Sequence, residues 1–164
     1  MRLTLWIAFW TFLVDQASKY LVVHILDLRN ILELAVFPPY LNLHMAWNRG
    51  VNFGLFSGQD MRWVLVALAM GIVGLVLYWV WRDQSNKWAN FSAGLLVGGA
   101  IGNVVDRLLY GAVADFLNMS CCGFENPYAF NMADIAVFAG AIGLILFNGE
   151  AKASKNGAGR ALRK

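Results

Sequence analysis

The stretch WVLVALAMGIVGLVLYWVW, Trp63 to Trp81, is nineteen residues without a charge. A helix needs about 20 mainly apolar residues to cross a hydrocarbon core roughly 30 Å thick. Tyr78, Trp79 and Trp81 close the run as an interfacial aromatic belt does. The whole chain agrees: of 164 residues, 59% are hydrophobic and 14% charged, with seven Trp and eleven Phe. Mean hydropathy is +0.55. A soluble domain carries roughly 25% charged residues, so the composition reads as one compact integral membrane domain. No solenoid-length repeat is visible.

Three further apolar runs flank the first. One spans about 3–23 and is broken by Asp15, Gln16 and Lys19. Another spans about 88–107, and the last about 132–147. The expected fold class is therefore an all-α polytopic membrane protein with four transmembrane helices. Outer segments at about 24–61 and 108–131 would join them. Residues 1–150 form the membrane domain, and 151–164 a basic tail that is expected to be disordered and held near anionic lipid by its charge.

Lys and Arg set the orientation. Arg2, Arg82, Lys87, Lys152, Lys155, Arg160, Arg163 and Lys164 fall on one side. Arg29, Arg49, Arg62 and Arg107 fall on the other. The eight-to-four bias puts both termini in the cytoplasm. Arg2 and the apolar run after it resemble a secretory signal, but no Ala-x-Ala-like cleavage site follows, so a retained helix is expected.

Carboxylates are costly in such a chain unless paired, hydrated or used. Asp15 precedes Lys19 by four residues, the favourable acid-to-base order on a helix, and a structural pair is expected. Gly94, Gly98 and Gly102 recur every four residues, a small-residue stripe that lets helices approach closely in lipid. One face of that helix then carries Asn103, Asp106 and Arg107. Asp106 lies roughly 28 Å along the helix from Lys87, so Asp106 and Arg107 reach the outer interface, where an ion pair between them is one reading. Asp134 opens the last apolar run, about a turn inside the outer boundary, with Asn131 as the natural cap. Asp115 lies in GAVADFLN, between the last two runs.

Within Asn42–Gly58, polar and apolar residues alternate in part from Trp47 to Phe56, which reads as short strands or a lipid-skimming hairpin bounded by Pro38-Pro39 and Gly58. This is the small extracytoplasmic β-like segment of the expected fold. Cys121 and Cys122 are adjacent and match no zinc or redox spacing. His24 and His44 are isolated, and neither H-E-x-x-H nor G-x-S-x-G occurs. No metal or other cofactor is expected.

DQASK (Asp15–Lys19), WNRGVNFGLF (Trp47–Phe56), GGAIGNVVDR (Gly98–Arg107), VADF (Val113–Phe116) and FNMAD (Phe130–Asp134) together resemble lipoprotein signal peptidase, signal peptidase II. The blocks keep that family's order and span nearly the whole chain. The resemblance implies a four-helix aspartyl endopeptidase of the bacterial inner membrane, multi-pass and monomeric, active near the periplasmic interface. Its substrates would be prolipoproteins carrying a diacylglyceryl cysteine, cut just before that cysteine. Asp115 and Asp134 fall on the catalytic dyad. Asn48, Asn103, Arg107 and Asn131 fall on polar residues around the site, and Asp15, Lys19 and Asp106 on architectural positions. Membrane phospholipid and the cyclic peptide globomycin are implied partners, and nucleic acid is not. Asn52, where many members have Ala or Ser, and Asn118–Phe130 depart from the family pattern without touching the dyad. Spacing alone does not choose Asp115 over Asp106.

Two other classes fit intramembrane carboxylates. A small proton-coupled transporter would use them as a relay, but no charged path crosses the run from Trp63 to Trp81. A non-catalytic scaffold held by the glycine stripe would tolerate loss of both dyad aspartates.

Overall fold

The computed structural model describes residues 1–50, 61–83, 85–121, 123 and 126–161, with side chains up to 147. Asn52, Cys122 and the latter part of the alternating Asn42–Gly58 segment lie outside them. Five helices and three strands follow in the order α1 (Arg2–Tyr20), α2 (Leu28–Ile31), β1 (Glu33–Phe37), β2 (Leu41–Asn48), α3 (Arg62–Arg82), α4 (Lys87–Tyr110), β3 (Val113–Met119) and α5 (Met132–Ala161). A π-helical turn, Leu21–Ile25, extends α1.

Helix α3 carries the charge-free run, yet only 17% of its most apolar window is buried. Val73, Val76 and Val80 face the protein, and the remaining face is apolar and exposed. Such a helix has lipid as its solvent. Among the described residues two helices, α3 and α4, are long and apolar enough to cross a membrane.

Helix α4 is the centre, packed against α1, α3 and α5. Its glycine stripe faces α1: a Cβ on Gly94 would strike Thr4 and Ile7, and one on Gly98 would strike Ala8 and Thr11. Gly99 takes the backbone of Ala133 on α5. The stripe therefore brings two helices to one side-chain diameter from α4, and with them whatever polar groups they carry.

Helix α4 stops at Gly111, whose φ of +76° is the left-handed cap that glycine adopts without strain. The chain then enters β3, in an antiparallel sheet of order β1-β2-β3. Residues 38–40 make the turn between β1 and β2. Pro38-Pro39 thus sits inside a hairpin that begins at Glu33, where the sequence pattern used it as a boundary. Neither β1 nor β3 stands out by alternation. Val113, Ala114, Asp115 and Phe116 are all buried, and a strand buried on both faces loses the period-two signal.

Helix α5 continues to Ala161, so 151–161, expected to be disordered, is helical. Ala and Lys dominate its first residues, and both favour helix.

Candidate active site

Asp115 reaches its place through β2. Leu43 pairs with Leu117, but Ala46 pairs with Asp115, so β2 carries one extra residue between them. An unbroken register would put Met45 and Trp47 on the face of Asp115. The bulge instead puts Ala46 and Asn48 there. Asn48 is the diagonal neighbour across the pair, and its Nδ2 donates to Asp115 Oδ2 at 3.0 Å. Ala114 and Phe116, the strand neighbours of Asp115, pack in a buried cluster with Val22, Val23, Leu28, Leu43 and Met45 and fix the strand.

Asp134 arrives by a fold-back of the loop after β3. Phe130 pairs with Leu117 through bonds of 2.8 and 3.0 Å, which sets Asn131 beside Asp115. Asn131 and Asp134 then cap α5 reciprocally. Asp134 N–H donates to Asn131 Oδ1 at 3.0 Å, and Asn131 N–H donates to Asp134 Oδ2 at 3.2 Å. This is a capping box in which Asn and Asp stand for the usual Ser/Thr and Glu/Gln.

One residue bonds both carboxylates. Asn131 Nδ2 donates to Asp115 Oδ1 at 2.6 Å, while its backbone N–H serves Asp134. Asn103 on α4 completes the group, with Nδ2 to Asp134 Oδ1 at 2.9 Å. An obligate donor turns each of the three amides. Gly50 N–H holds Asn48 Oδ1 at 2.9 Å, Asp134 N–H holds Asn131 Oδ1, and Lys19 Nζ holds Asn103 Oδ1 at 3.2 Å. A donor can meet only the oxygen of an amide, so all three nitrogens face the aspartates.

Asp115 is 2% exposed. Burial, and then the charge of Asp134, push its carboxyl from the ordinary 3.8 up to about 6, against the bonds from Asn48 and Asn131. Asp134 is half-buried. Among the described residues no ion pair is made by either carboxylate.

Asp15, Lys19 and Asp106 form a second cluster, at 0%, 5% and 1% exposure. Lys19 Nζ lies 2.8 Å from both Asp15 Oδ2 and Asp106 Oδ2. Asp15 also accepts Ala133 N–H at 2.9 Å, capping α5 from α1, and Asp106 accepts Ala114 N–H at 3.2 Å, anchoring β3. The pairing of Asp106 with Arg107 is thus replaced. Lys19 reaches Asp106 across the helix interface, and the Arg107 guanidinium turns to the Asn103 carbonyl at 3.2 Å, its buried Nε finding no hydrogen-bond partner among the described residues. Gln16, to which the sequence assigned no role, donates to Asp15 and Asp106, each at 3.1 Å. A polar residue between Asp15 and Lys19 in an apolar helix was its signal, because lipid leaves such a group to find a protein partner.

Known proteins are similar to this chain in sequence and in fold. The family model described as signal peptidase (SPase) II matches residues 7–148. The lipoprotein signal peptidase of Beijerinckia indica subsp. indica is 38% identical over 143 residues, 85% of this chain and 83% of that protein. That of Methylorubrum extorquens is 41% identical over 138 residues, 83% of this chain and 79% of the other. A solved structure of a bacterial membrane enzyme, determined in meso, superposes with a TM-score of 0.74 at 28% identity, covering 93% of this chain and 90% of its own.

Proposed function

The chain belongs to the signal peptidase II family, and from that premise we propose that it removes the signal peptide of diacylglyceryl-modified prolipoproteins with Asp115 and Asp134 as an aspartyl dyad. The single observation that carries the reading is Asn131, bonded to both carboxylates at once. Two carboxylates in one site do not both ionise cheaply, so the pair shares a proton. The side-chain hydrogen-bond donors to the pair are neutral amides, and Lys19 and Arg107 act on it through space without an ion-pair contact.

The deeply buried Asp115 holds the shared proton and polarises the scissile carbonyl. The more open Asp134 takes a proton from water as it attacks, and a proton then passes to the leaving nitrogen. The two ionisations belong to the pair as a whole. Asn48, Asn103 and Asn131 hold the geometry, and Arg107 offers its unpaired Nε to an oxygen of the substrate. No covalent intermediate is needed.

In this reading α1, α3, α4 and the apolar part of α5 all cross the bacterial inner membrane, and both termini are cytoplasmic. The sheet and the dyad lie at the periplasmic interface. A diacyl chain in the outer leaflet would hold the scissile bond at that depth, where water reaches it.

Purified protein in lipid, given a diacylglyceryl prolipoprotein, tests the proposal. Mass spectrometry should find a new N-terminus at the lipidated cysteine, lost with globomycin and with precursor lacking the lipid. Absence of cleavage, or cleavage indifferent to lipid and globomycin, would overturn it.

A further inference from the structure

Lys19 lies outside the dyad, yet two hydrogen bonds through Asn103 link it to Asp134. An ammonium has three donors and accepts nothing. Lys19 points its donors at Asp15, Asp106 and Asn103 Oδ1. Backbone N–H groups hold Asn48 and Asn131 in orientation. Asn103 is held by a charged side chain from another helix, joined by a bond from Asn131 Nδ2 at 3.3 Å. With its amide reversed, Asn103 would set an oxygen against Asp134 Oδ1, an arrangement tolerable only for a protonated carboxyl.

We propose that Lys19 is a positioning residue of the reaction: by gripping the Asn103 oxygen it turns the amide nitrogen onto Asp134 and keeps Asp134 able to take a proton from water. The inference rests on the aspartyl reading above. A purely architectural Lys19 would neutralise Asp15 and Asp106 and leave the dyad's protons indifferent to it.

The charged groups facing Asn103 and Asp134 are Asp15 and Lys19 from α1, Asp106 and Arg107 from α4, and Asp115 from β3. The test therefore compares wild type with Lys19→Met/Asp106→Asn, which retains the net charge of the wild-type cluster. The readout is the pH–rate profile for cleavage of a lipidated prolipoprotein. Relative to wild type, the double variant should have its acidic limb moved up by about one pH unit, the worth of one hydrogen bond to a charged group. Lys19→Arg in the same background should restore it. Asn103→Leu, which leaves the Lys19 cluster intact, should move the limb in the same direction and covers the case of a double variant that does not fold. An unmoved limb in Asn103→Leu, or in a folded double variant, would overturn the proposal. Failure of the underlying reading shows separately, as wild-type protein that does not cleave or Asp134→Asn that does.

Discussion

Two carboxylate pairs share this fold and one neighbour, Asn103, and they are built in opposite ways. Asp15 and Asp106 are sealed around Lys19, with Gln16 and the N–H groups of Ala133 and Ala114 as further donors. Every group there has a partner of matching charge or polarity. Asp115 and Asp134 receive neutral donors, from Asn48, Asn103 and Asn131. A cation fixes a carboxylate as ionised, whereas amides hold it in place and leave its proton in play. The first arrangement ties α1, α4, α5 and β3 together, and the second suits the proton exchange proposed for it.

The widest way to break the contrast is to remove the cation. Lys19→Met alone strands two buried carboxylates, which should cost about 3–5 kcal/mol, read as lost folded yield and a lower melting temperature in detergent. Asp115 should behave in the reverse sense. Its carboxyl is raised from 3.8 to about 6, so the folded state binds its proton more tightly than the unfolded chain does. Stability is then untouched below the unfolded value and falls as pH rises through the folded one. Asp115→Asn removes that loss. Its melting temperature relative to wild type should improve between about pH 4 and about pH 7.5, by a free energy on the order of 2–3 kcal/mol. No pH dependence in that difference would contradict the burial argument.

Gly102→Ala probes the sealed cluster from its edge. The added Cβ would land on Asp15 Oδ2, so a loss of about 1–3 kcal/mol is expected. Gly71→Ala and Gly74→Ala on α3, with nothing within 4 Å, should be neutral or slightly stabilising in the same thermal assay. On the side of the dyad, the smallest loss belongs to Asn48→Ala. It removes one of two side-chain amides from Asp115, and kcat should fall by roughly 2- to 10-fold, the equivalent of a single hydrogen bond.

The long apolar helices were readable because lipid demands length and tolerates no charge: Trp63 to Trp81 announces α3 unaided. Strand β3 was hidden because Val113–Phe116 is buried on both faces. The register that matters, Ala46 against Asp115, hangs on a bulge in β2 that no local residue signals. In the site, Asn131 as the cap of α5 was legible from its place before Asp134. The choice of Asp115 over Asp106 came from the family blocks. What the structure adds is long-range: Lys19 crosses the α1–α4 interface, over the seat made by Gly102, to pair with Asp106. Intrahelical spacing suggested Arg107 for that partner and could not see the neighbouring helix.

Side-by-side turnover of Asp134→Asn and Asp106→Asn, each purified, shown to be folded, and given the same lipidated prolipoprotein at equal concentration, tests the division most directly. The account predicts that Asp134→Asn loses activity by about 10²- to 10⁴-fold while folding normally, and that folded Asp106→Asn stays within about ten-fold of wild type, the worth of losing a supporting contact. Cleavage at a normal rate by Asp134→Asn, or a folded but inert Asp106→Asn, would contradict it.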